Sequence, residues 1–499
     1  MSTTPAPPPA SSPAEAPGGA LARSLSHGQM AMIAMGSALG TGLFLGSGAA
    51  IGMSGPAVIL CFALGSAIAA TIALSMGEMS SRYPVRGGFG TLAARFLSPY
   101  WGYLTRWLYW FVTICVTGAE LVACATYLRY WASGVPLWAG ILLFAAIILA
   151  INLTSVGSFG VVEFWLSSIK VVAVLVFILI GIFLVVVGLP SSPAPGLTNL
   201  TADGGFLPFG IGSVWIAMSV VMFSFGGIEL LSITAAEAKD PGAAIRTAAR
   251  TTIIRLAFFY VLAVGVVVAL LPWREASGQG EEVTASPFVL VFDRIGIPGA
   301  ASLTNVIVLI AALSAANANL YAGSRMLHSL SADAMAPAFL SRLSRRHVPV
   351  RGIAVSSAGI VLAAALAFTG VGGVFGYMMA LVVFSVLLVW ALILVSYLFY
   401  RRTRDGRETF RLPGGAATAA AGLIGVLGVF STIVVVRDLQ LAALVGVPAV
   451  AIATALYLLV VRHRIDPRRT DAAFAEAEAA EAGTAGRATG QEAGTTPTT

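Results

Sequence analysis

Lysine is almost missing from this chain. Of 29 lysines and arginines only Lys170 and Lys239 are lysines, and charged residues of every kind make up 10% of the 499 positions. Ordinary soluble domains carry roughly 25% charged residues, so a water-facing globular surface of this size is excluded. Cysteine is scarce as well: Cys61, Cys115 and Cys124 all fall within apolar runs, an odd number with neither a disulfide framework nor metal-ligand spacing. The four histidines, His27, His328, His347 and His463, lie at run ends or in loops, so no histidine relay crosses the interior. No HExxH, nucleophile elbow, phosphate loop or thiol–metal cluster occurs, which argues against an enzyme and implies no cofactor and no metal. A selectivity-filter ring or a pore-lining charge stripe, as a channel would need, is not visible either.

What the chain has instead is hydrophobicity, 58% of residues with a mean hydropathy of +0.90. Apolar runs of roughly 20 residues, each able to cross a hydrocarbon core of about 30 Å as a helix, recur at 30-52, 56-79, 101-128, 137-155, 160-188, 208-236, 251-272, 298-327, 351-369, 374-400, 414-436 and 438-461. Unbroken stretches such as VVAVLVFILIGIFLVVVG are not the period-two segments of a barrel. The expected fold is an all-α membrane protein of twelve transmembrane helices. Basic residues sort by loop: Arg82, Arg86, Arg95, Lys239, Arg342 and the cluster from Arg401 to Arg411 lie on one side, against Arg129, Arg274, Arg294 and Arg437 on the other. Positive residues stay cytoplasmic, which puts both termini in the cytoplasm and makes the net charge of +7 a topology signal rather than a nucleic-acid signature. Residues 1-24 and 466-499 read as disordered cytoplasmic tails flanking a membrane domain at 25-465.

The first run contains GSALGTGLFLGSG, residues 36 to 48. Glycine can serve close helix packing, and Gly36-x-x-x-Gly40 fits that reading. The cluster at Gly40-Thr41-Gly42 is denser, and a helix break there leaves free backbone groups near the bilayer midplane. Such groups survive in a membrane only where they line a cavity or meet a ligand. A half-helix starting near Gly42 would aim its amides at a carboxylate. The sixth run carries a second interruption, FSFGGIE at 223 to 229. Gly40 and Gly226 lie about 186 residues apart by subtraction, the spacing of two inverted five-helix repeats, helices 1-5 and 6-10, with helices 11-12 appended.

These segments also carry a family likeness. LSHGQMAMIAMGSALGTGLFLGSG, GEMSSRYPVRGGFG, VVEFWLSSIKV, FSFGGIELLSITAAEAKDP, SPFVLVF, LSAANANLYAGSRML and FRLPG, spread over residues 25 to 412, resemble the bacterial permeases of the amino acid-polyamine-organocation superfamily. The branch in question carries aromatic amino acids, proline, 4-aminobutyrate, lysine and S-methylmethionine.

Ionisable residues inside a membrane are functional candidates, because each costs about 2.5 to 3.5 kcal/mol to insert. Lys170 lies mid-helix 5, and lysine, unlike arginine, can give up its proton when desolvated. It pairs with a carboxylate of helix 3 or 5, or snorkels to the cytoplasm, or, as the resemblance implies, stands where relatives hold sodium and couples transport to protons. Glu120 on helix 3 could bind a substrate amine, accept the coupling proton or pair with Lys170. Aromatic-type relatives are similar in carrying an acid there. Glu163 is expected near the membrane edge in a structural pair. For the substrate the candidates are Ser37, Gly40, Thr41, Gly42, Glu120, Phe223, Phe225, Gly226, Gly227 and Asn319; Phe223 and Phe225 could equally be packing. Asn317 and Asn319 cannot share one face, and Asn319 is favoured. The resemblance implies a gating role for Glu229, which could also cap its half-helix. Glu78, Arg86 and Glu237 are expected to form one cytoplasmic network holding the inward gate. Tyr397 departs from the histidine many members carry, and no role is transferred to it.

The function expected is secondary import of amino acids across the plasma membrane by proton symport with alternating access, the partners being an amino acid, protons and membrane lipid. An obligate exchanger or a non-transporting sensor would use the same features. Through the resemblance Glu120 leans the substrate toward the aromatic type, whereas composition does not decide between a large apolar side chain and proline, nor between a monomer and a dimer.

Overall fold

The computed structural model describes residues 28–29, 32–33, 36, 39–189, 192–234, 241–277, 286–295, 298–403, 410–465, 471–475 and 477. The helices are α1 Thr41–Phe44, α2 Gly46–Ser54, α3 Val58–Arg82, α4 Phe89–Phe96, α5 Pro99–Leu128, α6 Leu137–Asn152, α7 Val156–Val186, α8 Ile211–Ser224, α9 Leu230–Thr234 and α10 Pro241–Leu270. They continue as α11 Pro287–Ile295, α12 Ala300–Ala332, α13 Val350–Ser356, α14 Ala358–Phe368, α15 Val374–Tyr400, α16 Ala416–Phe430 and α17 Arg437–Leu459. Extended pairing among the described residues is limited to Gly188–Leu189 against Ser192–Pro193.

Lipid offers the backbone no partner, so a spanning segment must satisfy its own amides and carbonyls, which a helix does. Eight helical stretches among the described residues are long and apolar enough to cross a membrane, and Leu137–Asn152, Ile211–Ser224 and Ala257–Leu270 are shorter apolar helices. The chain is an all-α, multi-pass membrane protein. One of the eight, Gly46–Arg82, is 37 residues long, which as a single rod would reach about 55 Å and overshoot the hydrocarbon core. Gly55 interrupts it with φ +61°, followed by Pro56, so α2 and α3 are separate segments. Helix starts follow the local chemistry. Ser98 and Pro99 open α5, and the Ser155 hydroxyl accepts from the Ser158 amide at 3.2 Å to cap α7.

The centre of the bundle is α5, 89% of whose apolar window is buried, against 11% for α17 at the periphery. It packs on α12, α15, α14 and α6. Small residues bring two of these backbones together: a Cβ on Gly118 of α5 would lie 2.9 Å from the Gly359 carbonyl of α14.

Three differences from the expected spans have physical causes. The corner GEMSSRYPVRGGFG runs directly into α4, and SPFVLVF forms α11, both too short and too mixed to read as spans. Helix α12 continues to Ala332, five residues beyond the expected end at 327, with Arg325 stacked over Tyr321, its guanidinium carbon 3.2 Å from the ring centroid. The segment after 465, expected as a disordered tail, is helical at 471–475, and Phe474 there is only 4% exposed.

Candidate functional site

The first run is interrupted at Leu39 and Gly40, with Gly40 extended (φ −111°, ψ −160°) before α1 starts at Thr41. An interrupted helix has free carbonyls on the chain entering the break and free amides on the chain leaving it. Each end has found an ionisable side chain. On the carbonyl side, Lys170 of α7, fully buried, donates to the Gly36 carbonyl. On the amide side, the Thr41 amide donates to both oxygens of Glu120 of α5, at 3.2 and 3.3 Å. The cation sits at the negative end of one half-helix and the carboxylate at the positive end of the other, the sense the macrodipole favours. Among the described residues no carboxylate lies within 4.0 Å of the Lys170 amine, although Glu163 and Glu120 are close enough to act on its charge.

In this structure Glu120 occupies the place expected for a substrate carboxylate. The amide end of the first break was expected to be open to a substrate carboxylate, and it holds the protein's own. The Gly-Thr-Gly segment is packed on both sides: a Cβ on Gly40 would lie 2.5 Å from Glu120 Oε1 and 3.2 Å from the Ala315 methyl of α12. One on Gly42 would lie 2.5 Å from Ser224 Cα. The two interruptions thus touch, α1 against the end of α8.

The second interruption runs through residues 225–229, between α8 and α9, with Gly227 at φ +103°, a conformation open to glycine and strained for other residues. Glu229 Oε2 accepts from the Gly227 amide at 2.9 Å, and its Oε1 accepts from the Trp390 indole of α15. The Ser224 carbonyl, freed as α8 ends, accepts from the Tyr260 hydroxyl of α10 at 2.6 Å. Trp390 and Tyr260 went unnoticed in the sequence. Their signal was there: a tryptophan or tyrosine in mid-membrane must find an acceptor for its N–H or O–H.

Of the paired phenylalanines, Phe223 meets Phe375 of α15 edge-on at 6.0 Å. Phe225 turns away from the first break, its ring 4.8 Å from Tyr260 and 6.3 Å from Phe62, and closes on Gly65. That is the packing alternative, because the unwound turn rotates it toward α3 and α10. Asn319 folds back on the Ala315 carbonyl at 2.9 Å and so shares the helix face that meets Gly40. Asn317 faces elsewhere and donates to Glu163 at 3.0 Å, while its own oxygen accepts from Asn152 at 2.8 Å. Glu163 is fully buried and also accepts from Ser314 and Ser167. Gly226 lies in the unwound turn, its amide on the Phe223 carbonyl. Ser37 and Glu237 lie outside the described residues.

At the arginine-rich end of the bundle the described contacts of Glu78 and of Arg86 fall in two places. Glu78 accepts from the Tyr397 hydroxyl and the Leu412 amide, both at 2.6 Å, with Arg401 at 3.9 Å. Tyr397, given no role in advance, therefore ties α15 to α3. Arg86 is 3.8 Å from Asp333 instead, beside Arg106 of α5, which was missed. Arg106 is fully buried and donates to Asp333 at 2.5 Å, to Ser329 at 3.1 Å and to the Gly102 carbonyl at 3.1 Å. A buried arginine in a run that otherwise reads as interface aromatics was the available signal.

Interrupted helices of this kind occur in transporters, and the known proteins that this chain resembles are transporters. The amino acid permease family matches residues 29–462. The aromatic amino acid transport protein AroP of Salmonella typhi is 39% identical over 385 residues, 77% of this chain and 83% of that protein. AroP of Shigella flexneri is 38% identical over the same shares. None of these relatives is named for an enzymatic activity. With most of its length inside the family match and its apolar helices to match, this chain belongs to the amino acid permease family.

Proposed function

We propose that this permease imports amino acids across the bacterial inner membrane by proton symport, alternating access around the point where its two interrupted helices touch. The observation that carries the reading is the contact of Gly42 with Ser224, with Lys170 and Glu120 at opposite ends of the first break. A zwitterion needs amides for its carboxylate and acceptors for its amine, and both are within this small volume. The substrate carboxylate takes the Thr41 amide from Glu120, and the released acid meets the amine or the coupling proton. Gly40, Gly42, Gly226 and Gly227 supply backbone, Phe223 closes over the side chain and Asn319 lines the α12 wall. Lys170 exchanges the proton on the carbonyl side. Glu229 gates at the second break, and Glu78 and Arg86 at the arginine-rich end. Ser37 and Glu237 belong to the same assignment on sequence grounds alone.

In this reading twelve transmembrane helices form two inverted five-helix repeats, so that α1–α2 and α8–α9 are equivalents, and helices 11 and 12 are appended. The permease domain is residues 25–465, and the arginine-rich end and both termini face the cytoplasm. Aromatic amino acids are the substrate class favoured by the relatives' names and by Glu120. A membrane potential supplies about 2.3 kcal/mol per charge per 100 mV, enough to drive accumulation.

Reconstitution in liposomes tests this. Labelled phenylalanine is expected to enter under an inward proton gradient alone, and not under a sodium gradient. Entry only against internal amino acid would replace symport with exchange. Binding without movement of label in any arm would replace transport with sensing.

A further inference from the structure

Outside the proposed transport site, the C-terminal segment makes a contact with the bundle. Its composition is that of a solvated tail, yet Phe474 is buried, its ring 5.0 Å from Tyr83 and 6.3 Å from Phe96. Tyr83 ends α3, and Phe96 ends α4. Tyr400, the last residue of α15, completes the cluster at 5.2 Å from Phe96 and 6.5 Å from Tyr83. Arg95 lies over the Phe474 ring at 5.5 Å and pairs with Asp471 at 2.5 Å. Both members of that pair are about half exposed, so it contributes little and the ring carries the anchoring.

The position of this anchor matters more than its strength. The cradle joins α3, α4 and α15, and one turn back along α15 Tyr397 makes the bond to Glu78 that ties α15 to α3. Any movement that opens the arginine-rich end between α3 and α15 separates Tyr83 from Tyr400 and strips the Phe474 ring of its neighbours. A side chain that is buried only when this end is closed stabilises the closed form by its own burial.

We propose that the C-terminal segment is an autoinhibitory strap: Phe474, seated among Tyr83, Phe96 and Tyr400, holds the arginine-rich end shut, and its release sets how often that end opens. The proposal rests on the transport reading for its consequence, but not for the docking itself.

The experiment is a double variant, Arg95→Cys with Asp471→Cys, treated with a short reducible thiol cross-linker. Cys61, Cys115 and Cys124 are buried and give little background. Cross-linking is expected to form, to slow proton-driven uptake in liposomes by at least about fivefold, and to be reversed by reductant. Phe474→Ala is expected to raise the uptake rate about twofold to tenfold, the weight of one aromatic cluster, with Phe474→Tyr close to wild type. Absence of cross-linking, or uptake unchanged by both the cross-link and Phe474→Ala while wild type transports, overturns the strap. If wild type itself moves no label, the transport reading has failed, and amide hydrogen exchange over residues 83–96 decides the strap: faster exchange in Phe474→Ala upholds it and equal exchange removes it.

Discussion

A single buried charge in a membrane is a liability, and the fully buried Lys170 and the buried Glu120 are each hydrogen-bonded to backbone and also interact electrostatically across the break. The broken helix offers a carbonyl end and an amide end, and each side chain satisfies the end whose partial charge opposes its own. Glu229 is held differently, with one oxygen on an amide of its own turn and the other on an indole. Replacing Trp390 by Phe keeps the ring and removes the donor. The expected result is a loss of about 1 to 3 kcal/mol, the cost of an unsatisfied buried acceptor, read as a lower thermal midpoint in detergent. Adding Glu229→Gln should make the two losses non-additive, because the pair acts as a unit; strictly additive losses would show that the indole does not support the acid.

At the scale of elements, the legible and the hidden separate cleanly. Both helix breaks could be located in the sequence, because glycine clusters and chain punctuation are local. What meets them was hidden: Thr41 and Glu120 are 79 positions apart and Gly36 and Lys170 are 134 apart, so only the fold brings them together. Glu120 and Lys170 were candidates to pair; they act on each other's charge without a direct ion pair. Phe225 was misplaced for a related reason, since the unwound turn resets the direction of each side chain and helical periodicity no longer applies. The close approach of α1 to α8 makes a sharp test. Gly42→Ala puts a methyl 2.5 Å from Ser224 Cα, so the thermal midpoint and uptake should fall together. A midpoint left unchanged would show that the packing against α8 accommodates the methyl, and any loss of uptake would then lie in the substrate's approach to this backbone.

For the whole molecule, the separation of charge along the bundle axis is the feature that composition already announced. With the arginine-rich end inward, Ser133, in the connection between α5 and α6, faces outward, and Arg345, between α12 and α13, faces inward; both are exposed. Single cysteines at these positions should divide accordingly: a membrane-impermeant maleimide applied to intact cells labels Ser133→Cys and spares Arg345→Cys. The reverse pattern would invert the molecule in the membrane. The Glu120 carboxylate on the Thr41 amide has a consequence at this scale too. If the proposed substrate carboxylate binds there, Glu120 is its tethered competitor, with an effective concentration set by the fold and of about millimolar order or higher for short tethers. Under the proposed reading a solute arriving from outside must outcompete it, so the resident acid would set a threshold for occupancy, and an unloaded carrier would make its return stroke with the amide already satisfied.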